Sequence, residues 1–492
     1  MTTPLEFTIQ RTSLIVLACG AFCIFVAGIS DWQYGFVGDE FAYFDYAKQI
    51  ARANLLVNPF NLDDVYGIER TLGSYWQAIW IWLIGANVIA WRLANVILIV
   101  PAVLIWNATL ARIFNARTGL IGAALLGSSY FLMNFFKIGY THPSCFLCFL
   151  FAFHYAAKSA MDGRALSFGT LGVVLGISFY LYVGPVFPVI FLPPIAFIRR
   201  RQVKGDRTHY VVLGACYLAI VLIGLLTTPA AHWAGGLSKT IIHREFDDNA
   251  QIAINIGRNF VLFFVDFDYG RNHFVTGPYL DSISQVLAVV GAGYALVHFR
   301  SFSCIFILAT WSLTCIVLGL INPYSCTPST RGMFFVPFGV AFASIALDRL
   351  MAIPLRIVET WPTICGSWLI AAIVVINIYR AHVLVFQETG YHEITSIIRE
   401  VRAAAESHEP EPMLYLSQSL GFSTYDLYNV MQAFGASRCA IRIARTRSDV
   451  CQAVPQSLLI LKRDPNIAAL KALPCLNQHQ TKVIEIGQFD HI

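Results

Sequence analysis

The sequence predicts a polytopic α-helical membrane protein of about 11 transmembrane helices, followed by a small C-terminal α/β domain. Three observations predict it. Charge is scarce: 13% of the 492 residues are charged, 57% are hydrophobic and the mean hydropathy is +0.61, whereas a soluble domain carries about 25% charged residues. The scarcity is uneven, because residues 392–492 alone hold 20 of the 63 charged side chains. Before position 392, apolar runs of about 15–20 residues recur, as repeated bilayer crossings require; after it, short alternating runs replace them. A soluble enzyme, a disordered chain and a nucleic-acid binder all fit the front part poorly.

The expected spans are 13–29, 88–111, 118–136, 142–158, 166–182, 184–198, 210–228, 282–298, 302–320, 332–347 and 364–381. The fifth and sixth are short and proline-rich (GPVFPVIFLPP), which suits an oblique crossing or a packed hairpin. The first run, Leu14–Ile29, has no small-residue cleavage pattern and leads into further membrane segments, so it reads as a span rather than a signal peptide. The 12 cysteines show no zinc spacing; Cys145 and Cys148, inside PSCFLCFLFAF, read as small buried hydrophobes. There is no internal repeat.

The loops predict the orientation. With the N-terminus inside, the cytoplasmic segments carry Arg11, Arg112, Arg117, Lys158, Arg164, the run Arg199–Arg201, Lys204, Arg207, Arg300, Arg349 and Arg356, with few acids. The opposite loops (30–86, 136–141, 228–280 and 321–331) hold nine basic residues and 12 acids. That asymmetry accounts for the net charge of +5 through the positive-inside rule. It places residues 1–390 in a transmembrane unit of the plasma or inner membrane, with outer loops 30–86 and 228–280. An odd number of crossings puts the soluble unit 391–492 on the non-cytoplasmic side.

The first outer loop has structure of its own. Residues 41–56 set Phe41, Phe44, Ile50 and Leu55 at roughly helical spacing, and Tyr75–Ile84 (YWQAIWIWLI) suits a helix lying in the interface. In the C-terminal part, MLYLS (413–417), CAIRIA (439–444), SLLILKR (457–463) and TKVIEIG (481–487) read as strands, with helical stretches at 393–406 and 424–433.

The most informative segment is VGDEFAYFDYAKQIAR, directly after the first span. Asp39 and Glu40 lie at the outer membrane edge, where carboxylates are costly unless hydrated or paired. They could cap the following helix. Glu69 and Arg70, just before the second interfacial helix, place another acid beside a base, which could be a surface ion pair. Together the two pairs also supply what transfer from a lipid phosphate requires. A carboxylate deprotonates an acceptor hydroxyl, and a cation or metal neutralises the leaving phosphate.

On these residues the chain resembles the GT-C glycosyltransferases, near the dolichyl-phosphate-mannose protein mannosyltransferase and aminoarabinose (lipid A) transferase group. The matching features are the Asp39-Glu40 pair after span one and the IERTLGSYW segment, together with loop lengths, span count and a soluble C-terminal domain. The likeness covers roughly residues 10–380 and is specific only in the first outer loop. It implies Asp39 as the base that activates the acceptor, supported by Glu40. It implies Glu69 as a metal-binding or donor-positioning group and Arg70 as a phosphate contact. Members differ in metal dependence, so a divalent metal is an open expectation.

Further positions follow from the resemblance. Lys137, in FFKIGYTHPSC, faces the donor phosphate or snorkels to the interface, and His142-Pro143 starts a helix. His243, in IIHREFDDNAQ, is either near a metal or a solvated loop histidine. Arg331, in NPYSCTPSTRGMFFVP, contacts phosphate through its planar fork or anchors a span. One departure stands out: many members carry a lysine before Gly-Pro at the fifth–sixth junction, where this chain has Tyr182 and Val183. More of the phosphate neutralisation then falls to Arg70 and Arg331.

The expected activity is sugar transfer, hexosyl or pentosyl, from a polyprenyl-phosphate donor to a lipid, glycan or protein hydroxyl on the non-cytoplasmic face, with inversion. Two alternatives remain. A secondary transporter or flippase would show broken or charged spans near the bilayer middle, and a non-catalytic assembly protein would act through its C-terminal domain.

Overall fold

The computed structural model describes residues 4–30, 40–62, 71–202, 207–228, 249–262, 275, 278–322, 329–353 and 361–384. In the C-terminal part it describes 413–417, 440–444, 458–462 and 482–486. The chain begins with α1 (Pro4–Val26), whose proline sits in the first turn, where its missing N–H costs nothing. Two helices of the first outer loop follow, α2 (Glu40–Arg52) and α3 (Thr71–Ile84). Gly85, at φ +102°, turns the chain into α4 (Val88–Val96), and Asn87 caps that helix by accepting from the Ala90 N–H. With α5 (Ile99–Ile113) it makes one 26-residue apolar stretch.

The third stretch is interrupted. α6 (Ala116–Gly127) and α7 (Tyr130–Lys137) are bent by 50° across Ser128 and Ser129. α8 (His142–Asp162) ends at Gly163, whose φ of +59° suits a helix C-terminus. There follow α9 (Ala165–Ser178), α10 (Phe187–Gln202), α11 (Arg207–Thr227), α12 (Asn249–Val261), α13 (Ser282–Val297) and α14 (Phe302–Leu320). A short turn, α15 (Ser329–Gly332), leads to α16 (Val336–Met351) and α17 (Trp361–Tyr379).

Each of the eleven expected apolar stretches contains a helix. Five, at Val88–Ile113, His142–Asp162, Thr208–Thr227, Phe302–Leu320 and Trp361–Val383, are long and apolar enough to cross a bilayer; the bent pair is a sixth if it counts as one span. Arg11–Val26, Ala165–Ser178, Gly184–Arg199 and Ser282–Val297 are apolar but shorter. This is a multi-pass membrane protein.

Packing follows from where bulk is absent and where rings are present. A Cβ on Gly172 of α9 would lie 2.3 Å from the Leu213 carbonyl of α11, and Gly176 meets Ile220 in the same way. The two backbones therefore approach along a stripe of small residues, which is how helices associate where lipid is as apolar as leucine. At the centre, Phe149 of α8 touches Phe187, Phe191, Phe334 and Phe338, and Phe153 touches Trp106 and Phe306. α16 is buried continuously from Val336 to Asp348. Asp348 is held by Arg117 Nε at 2.5 Å and by Asn115 at 3.1 Å, which fixes the end of α16 to the start of α6.

The C-terminal part contains β1 (Met413–Ser417), β2 (Ala440–Ala444), β3 (Leu458–Lys462) and β4 (Lys482–Ile486), in the four places where the sequence predicts strands. They form one parallel sheet in the order β2-β1-β3-β4, with Leu414 opposite both Ile441 and Leu458. Parallel pairing requires crossover connections. The expected helices at 393–406 and 424–433 lie outside the described residues.

Candidate active site

Two buried cations close the end of α1. Lys137 Nζ donates to the Ala27 carbonyl at 2.7 Å, and Arg92 Nη1 donates to the Ile29 carbonyl at 3.1 Å; neither side chain is exposed. Carbonyls at a helix C-terminus have no intrahelical donor and carry partial negative charge, so cations are favoured there. The chain that runs on towards Asp39 therefore starts from a fixed point.

The segment after Lys137 is clamped from two sides. Asn95 Nδ2 donates to the carbonyls of Ile138 (2.9 Å) and Tyr140 (2.7 Å), and Gln77 Nε2 donates to that of Gly139 (2.8 Å). Trp91 Nε1 in turn donates to Gln77 Oε1 at 3.2 Å. Close contact makes this possible: a Cβ on Gly139 would overlap the Trp91 ring, and one on Gly73 would lie 2.6 Å from Thr141 Cβ. Helix α3 is thus pressed onto residues 139–141, and buried amide side chains satisfy backbone groups that lipid or a dry interior could not.

Beyond the clamp lies a row of rings. Tyr43 of α2 meets Tyr140 at 5.3 Å, Tyr140 meets His142 at 4.9 Å, and His142 lies 3.9 Å from Tyr182, centroid to centroid. Tyr182 also shares a hydrogen bond with Thr330 (3.3 Å) and has the Arg331 guanidinium 6.0 Å from its ring centre. Arg331 donates from Nη1 to Asn322 Oδ1 at 2.9 Å. Its Nε is buried with no hydrogen-bond partner, although the residue is only 9% exposed. A buried N–H on a permanently charged fork is an anion-binding group.

The structure therefore gathers Arg331, His142 and Tyr182 into one place and sets Lys137 five residues before His142. Tyr182 stands beside Arg331, so at this junction an aromatic face accompanies the arginine. Asp39, Glu69, Arg70 and His243 lie outside the described residues, and of Glu40 only its place at the start of α2 is described. Thr71, the neighbour of Arg70, is fully buried and shares a hydrogen bond with Tyr46 at 3.2 Å. Asp45, a further acid of this loop, is taken up by Lys48 (2.9 Å) and Gln49 (2.6 Å). Among the described residues, no group of three or more His, Cys, Asp or Glu side chains is arranged to hold a metal, so no step is derived through one. Gln77, Asn95, Asn322 and Gly73 hold this cluster together and are not singled out by the sequence; for the first three the available signal is an amide side chain beside apolar residues.

The path of the chain is similar to that of ArnT from Cupriavidus metallidurans in its apo state, with a TM-score of 0.61, 11% identity and 94% of each chain covered. It has the GT-C fold. The Archaeoglobus fulgidus oligosaccharyltransferase in apo form is also similar, at a TM-score of 0.52 and 13% identity, covering 88% of this chain and 64% of that one. The same holds for the archaeal oligosaccharyltransferase AglB bound to an inhibitory peptide and a dolichol-phosphate (TM-score 0.51, 13% identity, 89% and 65% covered). The chain thus spans a little under two thirds of the oligosaccharyltransferase. At these identities the likeness is one of fold. No protein-family model and no curated protein sequence matches the chain.

Proposed function

We propose that the protein is an integral-membrane glycosyltransferase that moves a sugar from a polyprenyl-phosphate donor to an acceptor hydroxyl on the non-cytoplasmic face. The observation that carries this reading is Arg331, a buried guanidinium with an unpartnered Nε beside Tyr182 and His142, in a GT-C fold. Such a group stabilises the phosphate that departs as charge develops on it. Asp39 takes the acceptor proton with Glu40 in support, the freed oxygen attacks the anomeric carbon, and the bond from that carbon to the phosphate oxygen breaks. One displacement inverts the centre. Arg70, Arg331 and Lys137 neutralise the leaving phosphate, and Glu69 and His243 position the donor or hold a divalent metal. Chelation separates those two roles, since only the second makes transfer metal-dependent.

In the same reading the chain crosses the membrane eleven times from a cytoplasmic N-terminus. Residues 391–492 then form an α/β domain on the side of the active site.

The test is an assay of membranes against a panel of polyprenyl-phosphate sugars, with mass analysis of the product. Transfer from one donor, lost in Asp39→Asn, supports the reading; failure with every donor removes it.

The bent pair α6/α7 gives the transporter alternative one observation in its favour, because broken spans occur in transporters. Yet the donors freed by this break are met by protein side chains, Ser129 Oγ for Leu132 N–H and Asn377 Oδ1 for Tyr130 N–H. α7 itself is buried throughout. Both features suit a fixed structural break better than a pathway.

A further inference from the structure

The break between α6 and α7 leaves the first N–H groups of α7 without intrahelical acceptors. Ser129 meets one of them. The Tyr130 N–H is met from another helix: Asn377 Oδ1, on α17, accepts from it at 3.1 Å. The amide of Asn377 is itself oriented, because its Nδ2 donates to Asp281 Oδ2 at 2.7 Å and to the Ile373 carbonyl at 2.9 Å. Asp281 caps α13 by accepting from the Ser284 N–H at 2.9 Å. Three residues on, just past the end of α17, the Arg380 guanidinium lies 4.1 Å from the centre of the Tyr130 ring. Asn377 and Asp281 are each only 3% exposed.

This polar junction is unusual for its helix. α17 faces the bundle along one stripe that includes Gly366, Ile373 and Asn377, while Trp368, Val375 and Tyr379 are exposed. A polar side chain on such a stripe is costly unless it finds partners, and here both ends of the amide have them.

We infer that Asn377 is a positioning residue for the donor-phosphate site, acting through α7. That helix is a rigid rod of eight buried residues, about 12 Å long at 1.5 Å per residue. Its start is held by Asn377 and its end is Lys137. The clamped segment 138–141 then leads directly to His142, which faces Tyr182 next to Arg331. A shift at Tyr130 is transmitted to Lys137 and His142, because nothing soft lies between. Asp281 sets the amide orientation, so that its oxygen and not its nitrogen faces Tyr130.

The inference rests on the reading of Lys137 and Arg331 as phosphate contacts, and two measurements keep the questions apart. Purified full-length protein is titrated with undecaprenyl phosphate, and amide hydrogen exchange is followed over residues 129–138. Asn377→Leu is expected to weaken binding about tenfold, the scale of one buried hydrogen bond, and to raise exchange in 129–138 while α5 and α8 keep theirs. Trp368→Leu, on the exposed face of α17 away from this junction, is expected to leave both within about twofold of wild type. Arg331→Gln is expected to weaken binding without changing exchange in 129–138. If Asn377→Leu does not fold, Asn377→Ser is read in its place.

Unchanged binding in the Asn377 variant overturns the inference, as does a loss of binding in which exchange rises equally in all helices, because that is general destabilisation. If the wild-type protein itself binds no undecaprenyl phosphate, the donor-site reading falls and takes this inference with it. If the wild type binds and the Asn377 variant binds equally well, only the inference falls.

Discussion

Lys137 Nζ lies 2.7 Å from the carbonyl oxygen of Ala27, so the side chain that ends α7 also closes the end of α1. A charged donor on a buried carbonyl joins the two segments that lead into the site, the one towards Asp39 and the one towards His142. Lys137→Met is expected to remove about 1.5–3 kcal/mol, the worth of a hydrogen bond from a charged group. Thermal unfolding in detergent should shift down accordingly, and donor binding should weaken in the fraction that remains folded. An unchanged midpoint would assign the bond no energetic role.

Arg331→Lys keeps the charge and loses the fork. The guanidinium both holds Asn322 and leaves Nε free, which a single ammonium cannot reproduce. Transfer measured as kcat/KM is expected to fall at least tenfold in Arg331→Lys and further in Arg331→Gln, since one charge-assisted bond is worth about 1.5–3 kcal/mol. Full activity in the lysine variant would show that charge alone suffices.

Gly73→Ala tests the contact of α3 with the clamped segment. The added Cβ would lie 2.6 Å from Thr141 Cβ, and overpacking of this kind costs about 1–3 kcal/mol. Both the unfolding midpoint and transfer should drop. Adding Thr141→Gly, which removes the obstructing atoms, should recover much of the loss; recovery that fails would mean that the helix had moved for another reason.

Asp39→Asn is expected to abolish transfer while leaving protein yield and undecaprenyl-phosphate binding as they were, because the substitution removes a base without changing shape. Residual transfer at the wild-type rate would remove Asp39 from the chemistry.

The helices were legible because hydrophobicity repeats at the length of a bilayer, and the four C-terminal strands because β-branched and leucine-rich runs are punctuated by polar segments. The bend at Ser128–Ser129 was not legible. Two serines inside an apolar run look like ordinary span residues, and the acceptor that meets the freed Tyr130 N–H, Asn377, lies 247 positions away. The site was legible only in part. Arg331 and Lys137 stand out only through the resemblance to the GT-C transferases, since a lone cation at a span end otherwise reads as an interface anchor. Gln77 and Asn95 were passed over because their work is on backbone carbonyls, and nothing in a linear pattern marks which carbonyl needs a donor. Tyr182 reads in the sequence only as a missing lysine, and its contact with the His142 ring belongs to the fold.

The backbone N–H of Thr71 donates to the carbonyl of Asn61 at 3.4 Å, and Asn61 is itself tied through Thr228 to the end of α11. Asn61 and Thr71 are therefore held together across the intervening stretch of sequence. Glu69 and Arg70 directly precede Thr71 in the sequence, and the chain after α2 and the start of α3 are joined at Asn61 and Thr71 whatever the number of residues between those two. Glycines inserted after Asp64 should leave α2, α3 and the rest of the bundle in register, since lengthening a closed loop costs little entropy. The added length would lie next to Glu69 and Arg70, so a loss of transfer without a change in the bundle would support the proposed role of that pair.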